Sequence, residues 1–274
     1  MPFQRSDAHI EEYRTHGYTV FRGIVPPALI ADLRREADRG RAQVRERQGP
    51  QAQRFQPVAK SDLDLRPFQD FRELPELREA VSAVLSPRHT YGNVDLMGVL
   101  IEPGDLPWCT QWHRDWRDNV PYLDLREWEA VFHNADYFNQ CNCALYEDHS
   151  LWVVPGSHLR SDLAGEAARF PERPVPGPDL QGKTSEERER TALEYARSMP
   201  GAVQLHLEAG DYALYRNTLW HLGNYVPYAR RATLHDFVDT PEFSAWRARM
   251  GTEMAARKEA GHPAWEWNRG KDGG

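Results

Sequence analysis

The chain has 274 residues, 40% of them hydrophobic and 27% charged, with a formal net charge of −7. That is long enough to bury a sizeable core without disulfides or metal and globular in balance rather than disordered, while the acidity excludes non-specific attraction to nucleic acid or an anionic membrane. Three cysteines, Cys109, Cys141 and Cys143, make no disulfide framework, no N-terminal stretch is fit for a signal peptide and no apolar run is long enough to cross a bilayer, so a cytoplasmic protein with free thiols is expected.

The first third reads as helical. Ser6 or Asp7 caps a helix to about His16, and Gly17 stops it. Tyr18–Phe21 is a strand by its β-branched and aromatic content. Pro26-Pro27 opens a second helix to about Gln48, with Ile30, Leu33 and Ala37 as its apolar stripe. Gln51–Asp64 is loop or irregular strand, and two short helices are expected near Pro67–Arg72 and Glu76–Leu85. Strands then dominate: Tyr91–Glu102, long or bent; Tyr137–Leu145, after a brief helix over Asp124–Phe132; and Leu151–Val154, ended by Pro155-Gly156-Ser157-His158. Prolines and glycines crowd the block from Leu159 to Pro200, which closes with a polar helix, Ser185–Ser198, capped by Ser185; it reads as a lid-like insertion. Val203–Leu207, Tyr212–Tyr215 and Arg230–Val238 are strands, and a helix from Pro241 to about Lys258 precedes a Gly-rich end. The expected organisation is one domain over 1–274: a helical part to about 88, a β-roll core over about 89–240 carrying the 159–200 insertion, and a C-terminal helix over about 241–260. The fold class is mainly β with a helical buttress, a double-stranded β-helix or cupin-like jelly-roll.

The chemistry centres on Gln111-Trp112-His113-Arg114-Asp115-Trp116. Residues i and i+2 of an extended backbone share a face, so His113 and Asp115 aim at one point and suit a divalent metal. His221, at a later strand end, supplies a third ligand, because a β-roll sets sequence-distant strands side by side. Two histidines and a carboxylate make the facial triad that holds non-haem Fe(II) with open positions. Arg230, or its neighbour Arg231, begins the next strand, and a guanidinium there suits a dicarboxylate co-substrate. Gln111 shares the face of His113 and is placed to touch co-substrate or substrate. Trp112, Arg114 and Trp116 face away unless the chain bends after Asp115. Trp108, Trp112, Trp116, Tyr137 and Arg117 are candidates for the wall of a small-molecule pocket. There is no Gly-rich phosphate loop, and Ser157 lacks the Gly-x-Ser-x-Gly elbow of a serine hydrolase.

These motifs, with Tyr13–Arg22, Leu151–His158 (Leu-Trp-Val-Val-Pro-Gly-Ser-His), Gly210-Asp211, Trp220-His221 and Asn224, resemble the phytanoyl-CoA dioxygenase family of Fe(II)/2-oxoglutarate-dependent oxygenases over nearly the whole chain. The resemblance implies an iron held by His113, Asp115 and His221, 2-oxoglutarate chelating it with its distal carboxylate on Arg230 (Arg231 as runner-up), Asn142 as a co-substrate contact, and O2 as oxidant. It implies a dioxygenase that hydroxylates an unactivated C–H of a small molecule and releases succinate and CO2. Asp115 stands where a small residue would open a position for halide. Asp148-His149-Ser150 departs from the Glu-Asn-Gly that many members carry before the Pro-Gly-Ser-His strand, which puts the local turn in question. Two other readings stay open: a metal-binding β-roll with non-oxidative activity, and a non-catalytic small-molecule binder. Substrate and oligomeric state are not legible.

Overall fold

Local signals place most elements within a residue or two. The computed structural model describes residues 3–265; the Gly-rich end expected past the last helix lies outside the described residues from 266 on. Helix α1 (Asp7–His16) stops at Gly17, whose φ of 82° is the left-handed value glycine adopts readily. Strand β1 (Tyr18–Phe21) leads to α2 (Pro27–Gln48), which buries Ile30, Leu33, Ala37 and Val44. Next come β2 (Arg54–Phe55), α3 (Arg66–Arg72), α4 (Pro75–Val84), β3 (Gly98–Ile101), β4 (Trp108–Cys109), α5 (Leu125–Glu129), β5 (Asn139–Ala144) and β6 (Leu151–Val153). The insertion holds α6 (Ala164–Arg169), which the sequence reading lacked, and α7 (Ser185–Arg197), capped by Thr184 rather than Ser185. The chain closes with β7 (Val203–Gln204), β8 (Tyr212–Arg216), β9 (His221–Tyr225), β10 (Ala232–Val238) and α8 (Pro241–Glu259).

The expected strand Tyr91–Glu102 shrinks to β3. Asn93 turns the chain by accepting the Asp95 N–H on its side chain and the Leu96 and Met97 N–H groups on its carbonyl, a competing local bond that breaks a ladder.

All pairings are antiparallel and form two sheets, β1-β8-β5-β10-β3-β2 and β4-β9-β6-β7. From β3 to β10 the chain passes between the sheets at almost every strand. Helices hold more residues than strands, so the architecture is mixed α/β with two antiparallel sheets rather than mainly β.

The register divides the larger sheet into two faces. Leu234 sits opposite Val99 and Cys143, and Cys143 opposite Tyr212; these side chains share a core with Leu33 of α2, Phe68 and Phe71 of α3 and Leu77 of α4. By alternation, His235, Asn142 and Gln140 face the other way, toward the smaller sheet. Cys141 and Cys143 are free and buried in that core. Among the described residues no helix is long and apolar enough to cross a membrane.

Candidate active site

His113 and His221 meet as a cross-strand pair. Each donates its backbone N–H to the other's carbonyl, at 3.1 and 3.0 Å. The imidazoles lie 4.2 Å apart between centroids. His113 Nε2 is 3.4 Å and His221 Nε2 is 3.8 Å from Asp115 Oδ1, and one ligand atom from each of the three residues falls within 4.8 Å of the others.

The protonation pattern follows from backbone contacts. His113 Nδ1 lies 2.8 Å from the Gln111 carbonyl and His221 Nδ1 lies 2.9 Å from the Leu219 carbonyl. A carbonyl only accepts, so both Nδ1 atoms carry a proton and both Nε2 atoms are turned toward Asp115. Asn119 donates to Asp115 Oδ1 at 2.6 Å, and Trp128 Nε1 donates to the Asp115 carbonyl at 3.1 Å. Burial alone would raise the Asp115 carboxyl, but His113 and His221 hold it well below the usual carboxylate range. Burial, aided by His113, pushes His221 down to about 4. Burial would lower His113, but the Asp115 carboxylate raises it. Two Nε2 atoms presented by imidazoles anchored on backbone carbonyls, and an ionised carboxylate braced by Asn119, fit a divalent transition metal that takes the place of the His113 Nε2 proton.

The triad opens into a cavity of about 390 Å³. Its floor is the inner face of the larger sheet: Leu100, Gln140, Asn142, Tyr215, His235 and Phe237. Trp108 and Tyr225, stacked at 4.4 Å, form a wall with Thr110, and Trp116, Asn119 and Val120 form another.

The two candidate arginines part company. Arg231 lines the cavity and is 5% exposed. Its Nε donates to Asp148 Oδ2 at 2.8 Å, its backbone N–H to Glu102 Oε2 at 2.8 Å, and its carbonyl accepts from buried Arg41 at 2.6 Å. Among the described residues neither Nη of Arg231 has a hydrogen-bond acceptor. Arg230 precedes the strand and points outward, paired with Asp38 at 2.7 Å on a half-exposed side chain. Alternation explains the difference: Arg231 shares its face with Thr233, His235 and Phe237.

Other expected site residues also move. Asn142 lines the cavity, but its Oδ1 is 2.8 Å from His235 Nδ1. Gln111 is absent from the cavity wall and contributes its carbonyl to His113. Trp112 is buried against Trp152, Trp220 and Phe170, Arg117 is buried against Asp118 and Asp162, and Tyr137 packs on Phe243. Trp116 does turn inward: its φ of 68° bends the chain directly after Asp115. That left-handed conformation is strained for a bulky residue, and Asn119 Oδ1, accepting the Trp116 N–H at 2.7 Å, and Trp246, 4.9 Å away, hold it.

Sequence reasoning missed Asp148, His235, Arg54 and Asn119. Spacing carried a signal for two of them: His235 lies four residues after Arg231 on its strand face, and Asn119 lies four residues after Asp115. Asp148 stands at the departure from the family's usual turn; it accepts from Ser150, Thr233 and Arg231. Burial would raise it, yet Arg231 and these donors hold it down to about 2.

Two antiparallel sheets facing each other around a His-Asp-His cluster define a candidate metal centre on a two-sheet scaffold. The chain belongs to the phytanoyl-CoA dioxygenase (PhyH) family, whose model matches residues 13–224. No curated protein matches the chain. Solved structures that share the fold include AviO1 from Streptomyces viridochromogenes Tue57 (18% identity, 88% of this chain and 99% of that one, TM-score 0.55) and EctD from S. alaskensis with bound Fe (18%, 87% and 78%, 0.55). A third is the non-heme alpha ketoglutarate dependent epimerase SnoN from nogalamycin biosynthesis (16%, 85% and 80%, 0.51).

Proposed function

We propose that the protein is an Fe(II)/2-oxoglutarate-dependent oxygenase acting on a small molecule, and that the reaction is hydroxylation of an unactivated C–H. The two sheets are then the halves of a double-stranded β-helix. The observation that carries the proposal is the triad: His113 Nε2, His221 Nε2 and an Asp115 oxygen gathered within 4.8 Å, with both imidazole tautomers set by backbone carbonyls. These three residues would hold the iron. Bound there with 2-oxoglutarate, iron supplies oxidation by O2, with 2-oxoglutarate leaving as succinate and CO2 and one oxygen atom entering the substrate.

The chain's own groups bind and orient. Arg231 replaces Arg230 as the partner of the distal carboxylate: it is a buried guanidinium with both Nη atoms unengaged, and Asp148 fixes its plane through Nε. A rigid fork of this kind suits bidentate pairing with a carboxylate. Asn119 braces Asp115 against rotation. Trp108, Tyr225 and Phe237 exclude water around the reacting groups. Asn142 acts through His235, whose Nδ1–H it accepts, leaving Nε2 as an acceptor toward the cavity.

Epimerisation at the same site is the second reading, on the one ground that SnoN, which shares the fold, is an alpha ketoglutarate dependent epimerase; the substrate decides between the outcomes. The test is O2-dependent succinate formation by iron-loaded protein, which Asp115→Ala is expected to abolish. Undiminished succinate in that variant would refute the assignment of the triad.

A further inference from the structure

We propose that the substrate carries an oxyanion group, a carboxylate or a phosphate, and that Arg54 at the cavity mouth receives it. This rests on the oxygenase reading of the cavity above. Arg54 enters the cavity from β2, the edge strand of the larger sheet. Its facing is fixed by its neighbour. Phe55 is buried at 3% exposure against α2, so close to Gly40 that a Cβ there would meet the Phe55 ring at 2.4 Å. Alternation then turns Arg54, opposite Leu100, to the face that carries His235 and Asn142.

The charges of the cavity point the same way. Its lining holds two arginines, Arg54 and Arg231. Arg231 has Asp148 as its ion-pair partner. Arg54 has no carboxylate within ion-pair distance among the described residues, and its one side-chain hydrogen bond is a long one of 3.4 Å to Gln56. The two carboxylates that line the cavity are both engaged: Asp115 with the histidines, and Asp236 with the Gly92 N–H at 2.7 Å. The remaining polar lining is amide, hydroxyl and imidazole, and its amides are engaged within the protein: Gln56 donates to the Leu96 carbonyl, Gln140 to the Tyr215 hydroxyl, and Asn142 accepts from His235. A free guanidinium at the open end, a neutral floor and a metal site at the far end orient a substrate with its anion outward and its reacting carbon inward.

The experiment uses protein loaded with Co(II) and 2-oxoglutarate under nitrogen, titrated with phenylacetate, phenyl phosphate and the neutral phenylacetamide, read by quenching of tryptophan fluorescence. An oxyanion probe is expected to bind, to bind about tenfold more weakly in Arg54→Gln, the loss that removal of one charge-assisted bond gives, and to be retained within a few-fold in Arg54→Lys. Whichever oxyanion shows that loss names the group. Phenylacetamide is expected to be indifferent to the substitution. Failure of both oxyanion probes to bind, or equal binding to wild type and Arg54→Gln, overturns the proposal. So does an equal loss of 2-oxoglutarate affinity in Co(II)-loaded Arg54→Gln, which would give Arg54 to the co-substrate and leave the oxygenase reading standing. Failure of 2-oxoglutarate to bind Co(II)-loaded wild type would refute that reading itself, a separate result.

Discussion

Two adjacent arginines with the same chemistry end in different places because one residue of phase on a strand decides a face. Arg230 has water, Asp38 and the Tyr146 ring, 5.7 Å from its guanidinium carbon. Arg231 has Asp148, the Tyr225 ring at 4.7 Å and a cavity. Arg231→Ala is therefore expected to raise the KM for 2-oxoglutarate at least tenfold, the scale of a lost charged pairing, while Arg230→Ala changes it by less than twofold. Steady-state succinate assays of both variants check this, and a larger effect at Arg230 would reverse the assignment. The sequence contains both residues but not the phase, because the strand begins only at Ala232 and a loop residue has no alternation to read. The triad was legible for the opposite reason: His113 and Asp115 sit within one extended stretch, so spacing alone put them on one face.

The insertion 159–200 packs in a place that its composition does not report. Its proline-rich composition marked it as irregular, and the expectation was a lid. Among the described residues none from 159 to 200 lines the triad cavity; the block packs behind the metal motif. Phe170, Val175 and Ala196 bury Trp112 and Trp220, and the Tyr195 hydroxyl accepts the Trp112 N–H at 3.0 Å. Asp162 accepts from Arg114 at 3.1 Å, Arg117 at 3.0 Å and Arg173 at 2.6 Å. All three guanidinium carbons lie within 4.7 to 5.3 Å of the Trp220 ring. Arg114 also donates to the Ser157 and Thr218 carbonyls, so the network reaches both halves of the triad. No composition signal reports that Asp162, beside the buried Asp118, serves three arginines. Asp162→Asn leaves those charges under-compensated, which costs about 2 kcal/mol for a partly exposed partner and lowers Tm by about 5 °C. It is also expected to weaken Co(II) binding about tenfold, as loss of supporting contacts does. Calorimetry and metal titration check the two, and unchanged metal affinity would make the network structural alone.

At the scale of the whole molecule, the pH dependence of stability follows from buried titratable groups of opposing sign. Burial and then Arg216 push His158 down to about 4. The unfolded chain binds that proton near 6.5, so the stability His158 contributes is lost as pH falls from about 6.5 to 4. Burial raises Asp236 to about 7; its contribution is present at low pH and lost as pH rises from about 4 to 7, which opposes His158 over the same window. Below about pH 4 nothing offsets the depressed carboxylates. Arg231 holds Asp148 and Arg117 with Arg114 holds Asp162, each at about 2 against the pull of burial. Each contributes about 2 kcal/mol above pH 4 that disappears toward pH 2. His221, pushed down by burial to about 4, and His235, pushed down by burial to about 3, add to the loss from His158 and outweigh Asp236. Thermal unfolding followed from pH 7 to 2 is therefore expected to weaken between about pH 6.5 and 4 and further below 4, and Asp236→Asn is expected to steepen the upper limb. A Tm that stays flat from pH 7 to 4 would contradict this.

His113 and His221 are opposite one another in the ladder, and each closes the other's backbone hydrogen bond. A slip of the Gln111–Trp116 run by one residue against β9 would turn His113 to the far side and bring Trp112 or Arg114 inward, since every side chain changes face together. An ion that needs both imidazoles can be held only in the native pairing. Occupancy of the centre therefore acts as a proofreader of strand alignment: whatever binds there adds RT ln(1 + [L]/Kd) to the correct register and nothing to its neighbours. The same ion that serves chemistry would add to the discrimination that buried Trp112 and Arg114 already impose between the native alignment and a slipped one.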